Sequence, residues 1–241
     1  MAPSRGDLEL AMAAYWGRKD EQLAAAELAG STAEGRSKAV RGGGHFNPVA
    51  NLIARFFLDA GYPPEAIHAS GNMTRLPGYY RPTKACDLVV VHDEVLVAAV
   101  ELKALGGPSF GNNFNNRVEE ALGNGMDLER ASWRGLVGRE RPWLGYFFVV
   151  EDEEGSRKPG RSAGGGPFPP EPAWNEASYQ DRFALSGERM LDQGIYDAVY
   201  YAASSRDDPG PREPSSSLDW QHFVAAIGAR IKYLEALGLP G

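Results

Sequence analysis

The stretch VLVAAVELKALGGPSFGNNFNNR, Val95–Arg117, joins an apolar strand to two opposite charges and then to a run of amides. Six apolar residues lead directly into Glu101 and Lys103, and three glycines, a proline and four asparagines follow. Side chains two positions apart on a strand share a face, so Glu101 and Lys103 lie together. Because an unpaired buried charge is costly, the two groups must pair, reach solvent or bind a ligand.

The segment before this stretch predicts a hairpin that brings a third charge, Asp87, to the same place. CDLVVVHDEVLVAAVELKA (86–104) predicts two strands with a tight turn near Asp93-Glu94. A two-residue turn alone would set Asp87 opposite Val100 and away from Glu101. We therefore expect an odd-length turn or an equivalent bulge. Strict alternation further predicts that the face of Glu101 also carries Val95, Val97 and Ala99.

Two carboxylates and a lysine on adjacent strands have the composition that metal-assisted phosphodiester hydrolysis requires. Mg²⁺ prefers carboxylate and water oxygens, accepts phosphate oxygens, and can activate a bound water. Lys103 could orient that water or help to deprotonate it, and could offset charge in the transition state. The alternative is a structural ion pair of Glu101 with Lys103, with Asp87 ending a strand. The three residues alone leave both interpretations open.

The amide run after Lys103 favours a nucleic-acid ligand. Asn and Arg bond to adenine and guanine in the major groove, and both reach phosphate oxygens. A helix start with Asn caps is the alternative, but it explains one or two asparagines, not four. Ordinary solvated charge is the alternative for each basic residue. The candidate DNA contacts are Arg75, Arg81, Lys84, Asn112, Asn113, Asn115, Asn116, Arg117, Lys38 and Arg41.

Composition bounds the class of protein. The 241 residues are 43% hydrophobic and 24% charged, as in a soluble globular chain, and contain no apolar run of membrane-spanning length. The one cysteine, Cys86, excludes an internal disulfide and fits a reducing cytoplasm. The net charge is −7, yet positions 36–84 carry +5 and the remainder −12. Chance could produce this split, but one phosphate-binding face would produce it too.

The order of elements predicts the fold. A helical segment at about 7–29 precedes a basic connection at 35–45, which holds Lys38 and Arg41, and a helix from about residue 47. Strands then alternate with helices and end in a helix at about 218–237. This order predicts a single α/β domain, 1–241, with a mixed central sheet flanked by helices on both faces. We expect a mobile loop at 153–174 and a second long loop at 205–217.

The motif Asp87…Glu101-x-Lys103 resembles that of the PD-(D/E)XK nuclease superfamily, although Cys86 stands where many members have proline. The passages GGGHFNPVANLIARFF, RPTKACDLVVV and VELKALGGPSFGNNFNNRVEEALGNGMD are similar to the XhoI-type family of type II restriction endonucleases. The similarity covers about residues 42–130, and the Glu-Leu-Lys through Asn-Asn-Arg passage is its specific part.

This resemblance implies a restriction-endonuclease-like core in a homodimer that cuts double-stranded DNA with Mg²⁺. The family expectation is the palindrome CTCGAG, with 5′ overhangs and 5′-phosphate products. By the superfamily pattern, Asp87, Glu101 and the Leu102 backbone carbonyl hold Mg²⁺, and Lys103 assists the water. The helix before the sheet offers Asn51 and no carboxylate until Asp59, so a further acidic ligand is not expected. Neither a membrane nor a protein partner is implied, since a cognate methyltransferase acts separately.

Three other functions remain open from the sequence. The chain could be a PD-(D/E)XK nuclease for repair or junction cleavage, without a fixed recognition sequence. It could be a DNA-binding module without catalysis, although the complete triad argues against that. It could also be a protein whose triad is only structural.

Overall fold

A computed structural model describes residues 2–28, 46–107, 109–160 and 166–240. Its helices are α1 (Arg5–Leu28), α2 (Asn47–Asp59), α3 (Phe110–Trp133), α4 (Glu154–Arg157), α5 (Tyr179–Asp192) and α6 (Trp220–Ala236). Its strands are β1 (Ile67–His68), β2 (Arg75–Pro77), β3 (Thr83–Ala85), β4 (Leu88–His92), β5 (Val95–Leu105), β6 (Trp143–Glu151) and β7 (Ala198–Ser204). Short 3₁₀ turns lie at Pro64–Ala66, Asn72–Thr74 and Pro172–Trp174.

The central sheet has five strands in the order β1-β4-β5-β6-β7, and β2 pairs with β3 in a separate hairpin. The strands β1, β4 and β5 are antiparallel, whereas β5, β6 and β7 are parallel, so the sheet is mixed. Strand β6 is buried almost throughout because helices cover both of its faces. The predicted α/β class with a mixed sheet is confirmed.

Helices pack on both faces of the sheet, as the sequence predicts. One apolar cluster joins α1, α2 and α6 to one face, through residues such as Met12, Phe57 and Phe223. The other joins α3 and α5 to the opposite face, through residues such as Leu128 and Phe183. The sheet is therefore the middle of three layers, and the ends of its strands lie between two sets of helices.

A β-bulge in β5 sets the register of the β4–β5 hairpin. The turn has two residues, Asp93 and Glu94, both with positive φ. Val91 pairs with Leu96 and Val90 pairs with Ala98, which leaves Val97 unpaired. The Val97 carbonyl instead accepts a hydrogen bond from Arg230 Nε on α6, at 3.0 Å. The odd-length turn does not form, and the expectation of an equivalent bulge is confirmed.

The bulge also corrects the predicted alternation along β5. Val95 and Val97 face the α1 side of the sheet together with Ala98 and Val100, while Ala99 joins Leu96 on the α3 side. The expectation that Val95 and Val97 share the face of Ala99 is therefore wrong. Its physical reason is the extra residue, since two consecutive side chains at a bulge can point to one face.

The long loop predicted at 153–174 contains helix α4 and the turn at Pro172–Trp174. Its mobility, and the division of the chain into a single domain, stay predictions. The basic residues Lys38 and Arg41 lie outside the described residues, so their expected contacts with DNA also stay predictions. None of the helices in the described ranges has both the length and the apolarity to cross a bilayer.

Candidate active site

Asp87 lies at the open end of the β4–β5 hairpin, close to Glu101. Leu88 pairs with Val100, and the Asp87 N–H donates to the Val100 carbonyl oxygen at 3.2 Å. The two carboxylates nevertheless meet at one point, because Asp87 Oδ2 and Glu101 Oε2 both accept a hydrogen bond from Lys103 Nζ. The Asp87 carboxylate is fixed from behind, because its Oδ2 accepts a hydrogen bond from the Leu102 backbone N–H at 2.8 Å.

Lys103 joins the two carboxylates. Its Nζ lies 2.6 Å from Asp87 Oδ2, 2.8 Å from Glu101 Oε2 and 3.3 Å from the Leu102 carbonyl oxygen. Burial alone would lower the pKa of this lysine, but the charges of Glu101 and Asp87 outweigh that effect and raise the pKa above its ordinary value. Lys103 is therefore an ammonium ion at neutral pH, held by oxygens of three residues.

Lys84 approaches the same site from β3. Its side chain is 9% exposed, and its ammonium group donates to Glu101 Oε1 and to the Ala85 carbonyl oxygen. The structure shows the Lys84 side chain buried at the edge of the cleft and paired with Glu101, and its predicted contact with DNA stays a prediction. Glu101, itself 3% exposed, thus has one lysine on each carboxylate oxygen.

These residues lie in one open cleft, whose walls come from three further elements. Arg81 borders it from the β2–β3 hairpin, α3 contributes Arg117, Glu120 and Asn124, and α1 contributes Lys19. Lys19 lies over the Trp16 ring at 4.3 Å and 3.5 Å from Glu151 Oε2. Burial lowers the pKa of this lysine, because the nearby charge of Glu151 only partly offsets the loss of water around the ammonium group.

The four asparagines lie in the first two turns of α3 and do not cap it. The cap residue is Ser109, and no side chain caps the helix. Asn112, Asn115 and Asn116 are exposed, and in the described part of the chain none of the four amides has a side-chain hydrogen bond. The alternative of redundant Asn caps is therefore wrong, although whether these amides contact DNA stays a prediction.

The three arginines in the described ranges that are candidate DNA contacts differ in whether their guanidinium groups already have partners within the protein. Arg117 is paired with Glu120 one turn along the helix. Arg81 donates to Asp127 Oδ2 at 2.6 Å and to Asn124 Oδ1 at 2.7 Å. Arg75 is exposed, and among the described residues it has neither an ion pair nor a side-chain hydrogen bond. Among the basic candidates in the described ranges, Arg75 is thus the most available to a phosphate.

Comparison with known proteins assigns the chain to a family. A family model for restriction endonuclease XhoI matches residues 26–213, which include the whole cleft except its α1 wall. The chain belongs to the XhoI restriction endonuclease family. This confirms the resemblance found in the motifs.

Proteins with similar sequences come from three bacteria. A type II restriction enzyme XhoI from Xanthomonas vasicola is 40% identical over 164 residues, 67% of this chain. The type II restriction enzyme AbrI from Azospirillum brasilense is 39% identical over 58% of this chain, and BstVI from Geobacillus stearothermophilus is 38% identical over 80%. The matches span 65%, 63% and 89% of these relatives, so less than two thirds of the first two. No solved structure matches the chain.

The oxygen atoms of this XhoI-family site fit a hard divalent cation. One ammonium group is held by Asp87, Glu101 and the Leu102 carbonyl, so oxygens of three residues already converge on a single cation. Carboxylate and carbonyl oxygens are ligands that Mg²⁺ accepts. Within the described ranges no cluster of three or more His, Cys, Asp or Glu side chains could hold a metal. Whether a further acidic ligand takes part stays a prediction.

Sequence reasoning missed Lys19, which lines the cleft, and Asp127, which bonds to the β2–β3 hairpin beside it. Lys19 continues the buried stripe of α1 formed by Met12, Tyr15 and Trp16, and Asp127 lies next to the buried Leu128 on α3. A charged residue within an apolar stripe of a helix was the available signal.

Proposed function

We propose that this chain is a type II restriction endonuclease, which cuts both strands of duplex DNA with Mg²⁺ as cofactor. The observation that carries the proposal is the Lys103 ammonium held between Asp87 and Glu101 in an open cleft, in a chain of the XhoI family. The similar relatives are named as type II restriction enzymes, which supports the sequence-specific form of this activity.

In this proposal Asp87, Glu101 and the Leu102 carbonyl hold Mg²⁺. When bound, the ion supplies charge to the phosphate and lowers the pKa of a water molecule. Lys103 donates hydrogen bonds to the attacking water and offsets negative charge at phosphorus. The water oxygen forms a bond to phosphorus as the bond to the 3′ oxygen breaks; the water loses a proton to solvent and the 3′ oxygen takes one from solvent, which leaves a 5′-phosphate and a 3′-hydroxyl. Lys84 keeps Glu101 oriented toward the site.

The finer properties follow the family expectation. A homodimer with one site per subunit would read a palindrome, because a two-fold symmetric protein matches a two-fold symmetric sequence. We propose CTCGAG as that palindrome, with 5′ overhangs, and the cytoplasm as the location. Light scattering would then give twice the chain mass of 26.1 kDa.

Digestion of plasmid DNA, with Mg²⁺ in one arm and EDTA in the other, tests this function. Discrete fragments that appear only with Mg²⁺ support a restriction endonuclease, and sequencing of their ends gives the recognition site. A smear of products would instead indicate a nuclease without fixed specificity. Retarded but uncut DNA would indicate a binding module, and unretarded, uncut DNA would refute a role in DNA metabolism.

Substitution of Lys103 separates catalysis from binding. We expect Lys103→Ala to lower the cleavage rate by at least about 10²-fold, because a charge aimed at the transition state is lost. The mutant should still retard the cognate duplex. Lys232→Ala, which removes an exposed lysine of α6, is the control and should cut normally. Normal cleavage by Lys103→Ala would refute the mechanism.

A further inference from the structure

The tip of the β2–β3 hairpin, residues 78–82, projects two tyrosines into solvent. Tyr79 is 46% exposed and Tyr80 is 68% exposed. Their rings lie edge to face with centroids 4.8 Å apart, and neither stacks on another aromatic ring in the described ranges. Large exposed aromatic surface beside a functional cleft is characteristic of a binding surface.

A buried carboxylate holds this tip in place. Asp127 on α3 is 1% exposed, and its Oδ1 accepts hydrogen bonds from the Tyr79 and Tyr80 backbone N–H groups at 2.7 and 2.8 Å. Its Oδ2 accepts from Arg81 Nε. The packing is close, since a Cβ at Gly78 would lie 2.8 Å from Asp127 Oδ2 and 2.5 Å from the Arg81 carbonyl oxygen. The tip is therefore rigid before any ligand binds.

The position and charge of the hairpin identify the kind of partner. Arg81 and Lys84 of this hairpin border the cleft that contains Asp87 and Glu101. Residues 71–85 include three basic residues and no acidic one, and although Arg81 and Lys84 pair with Asp127 and Glu101, Arg75 is exposed and has no ion pair among the described residues. A partner with negative charge and flat ring faces complements such a surface, and nucleic acid has both.

We propose that Tyr79 and Tyr80 form a rigid aromatic wedge that packs against the bases or sugars of DNA beside the cleaved phosphodiester. This inference rests on the proposed function and adds a contact that is independent of hydrogen bonding to base edges. Because Asp127 fixes the tip in advance, little conformational freedom is lost when the rings pack against DNA. The wedge thus contributes affinity through ring surface.

Binding measurements with ring-deleting variants test the wedge. Each variant carries Lys103→Ala to prevent cleavage, and the probe is a fluorescent duplex that contains the sequence cut by the unmodified chain. We expect the double variant Tyr79→Ala/Tyr80→Ala to bind at least about tenfold more weakly. Tyr79→Phe/Tyr80→Phe should recover most of this loss, because the rings remain. Trp133→Ala, which removes a ring that is 78% exposed and nine residues beyond Asn124 on α3, should change Kd by less than about twofold.

The outcomes separate this inference from the proposed function. If the unmodified chain neither binds nor cuts any duplex, the proposed function fails. If it does both and the double alanine variant binds equally well, only the wedge is refuted. Sedimentation of each variant measures whether it still forms a dimer. If weaker DNA binding follows from loss of the dimer, the tyrosines belong to an interface between copies, and the proposal is overturned. An unchanged melting temperature for the alanine variant shows that folding is intact.

Discussion

Glu101 is a buried carboxylate whose two oxygens are each occupied by a lysine. Lys103 follows it on the same strand, while Lys84 comes from a hairpin outside the central sheet. With Lys103 alone, Glu101 Oε1 would be buried without a charged partner. We infer that Lys84 positions Glu101, because it bonds to Glu101 and to the neighbouring backbone of β3.

Replacement of Lys84 tests this positioning role. We expect Lys84→Met to lower the cleavage rate by about 10- to 100-fold, because outer groups that orient a metal ligand have effects of this size. The Mg²⁺ concentration required for half-maximal rate should rise as well. Lys232→Met on the surface of α6 is the matched control. An unchanged Mg²⁺ dependence in Lys84→Met would contradict the role.

Sequence predicted Asp87, Glu101 and Lys103 as one group because strand periodicity is local. The structure brings the three together, and the assignment of their chemistry remains a proposal. Periodicity could not place Lys84, since its position depends on how a separate hairpin packs against the sheet. That packing arises from contacts with residues far along the chain, such as Asp127, about which a local pattern carries no information.

At the scale of elements, the tight turn and the bulge act together in the β4–β5 hairpin. Two-residue turns of this kind need positive φ, which Asp93 and Glu94 adopt without glycine. The turn alone would point Asp87 away from Glu101, and the extra residue in β5 reverses that outcome. Sequence could require a bulge but could not locate it, because every residue from Val95 to Val100 is small or medium and apolar.

Asp127 on α3 accepts hydrogen bonds from Tyr79, Tyr80 and Arg81 of the β2–β3 hairpin, and we call these bonds the Asp127 clamp. The clamp makes the free energy of unfolding depend on pH. Burial would raise the pKa of Asp127, but hydrogen bonds from the Tyr80 N–H and from Arg81 outweigh it and lower the pKa below its ordinary value of 3.8. A group whose pKa is lower in the folded state adds stability above its unfolded pKa and loses it as the pH falls through the folded value. The clamp is therefore complete at neutral pH.

We expect Asp127→Asn to reduce the free energy of unfolding at pH 7 by about 1–3 kcal/mol, because bonds to a charged acceptor are lost. The difference from the unmodified chain should shrink as the pH falls below about 4. Urea unfolding from pH 3 to pH 7 measures both values. Asp207→Asn, an exposed loop residue, should change stability by less than about 0.5 kcal/mol at every pH. If the difference in free energy of unfolding between Asp127→Asn and the unmodified chain stays constant with pH, the charge of Asp127 does not stabilise the fold.

At the scale of the whole molecule, the charge is divided between segments. A chain of net charge −7 repels DNA on average, so the proposed binding is expected to use the +5 segment at 36–84. That segment includes the exposed Arg75 and the buried Lys84, for which we propose different roles. The excess of basic residues thus predicts a nucleic-acid partner, while the burial of each side chain decides whether it can reach that partner.

Arg75→Gln tests the phosphate contact of this segment. We expect weaker binding to all duplexes, and a plot of log K against log salt concentration whose slope is smaller by about one. Fluorescence anisotropy titrations between about 50 and 200 mM salt would measure this slope, because phosphate contacts weaken strongly over that range. Arg18→Gln, an exposed arginine of α1 outside the basic segment, should leave the slope unchanged. Equal slopes for Arg75→Gln and the unmodified chain would exclude the contact.

The layered fold could be predicted because the order of helices and strands is a local property of the chain. The four longer strands and the long helices lie where hydrophobic patterns place them, and the sheet is mixed as expected. The face assignments within β5 could not be predicted, since one unpaired residue exchanges the two sides. Small changes in register are invisible to a pattern of apolar residues but decisive for a site.

The hydrogen bond from Arg230 to the Val97 carbonyl links residues 133 positions apart. Helix α6 follows every strand of the sheet in chain order. A ribosome therefore delivers the whole sheet before it delivers the guanidinium that satisfies this carbonyl. The bulge in the strand that carries Glu101 can therefore acquire this bond only after all strands have been synthesised.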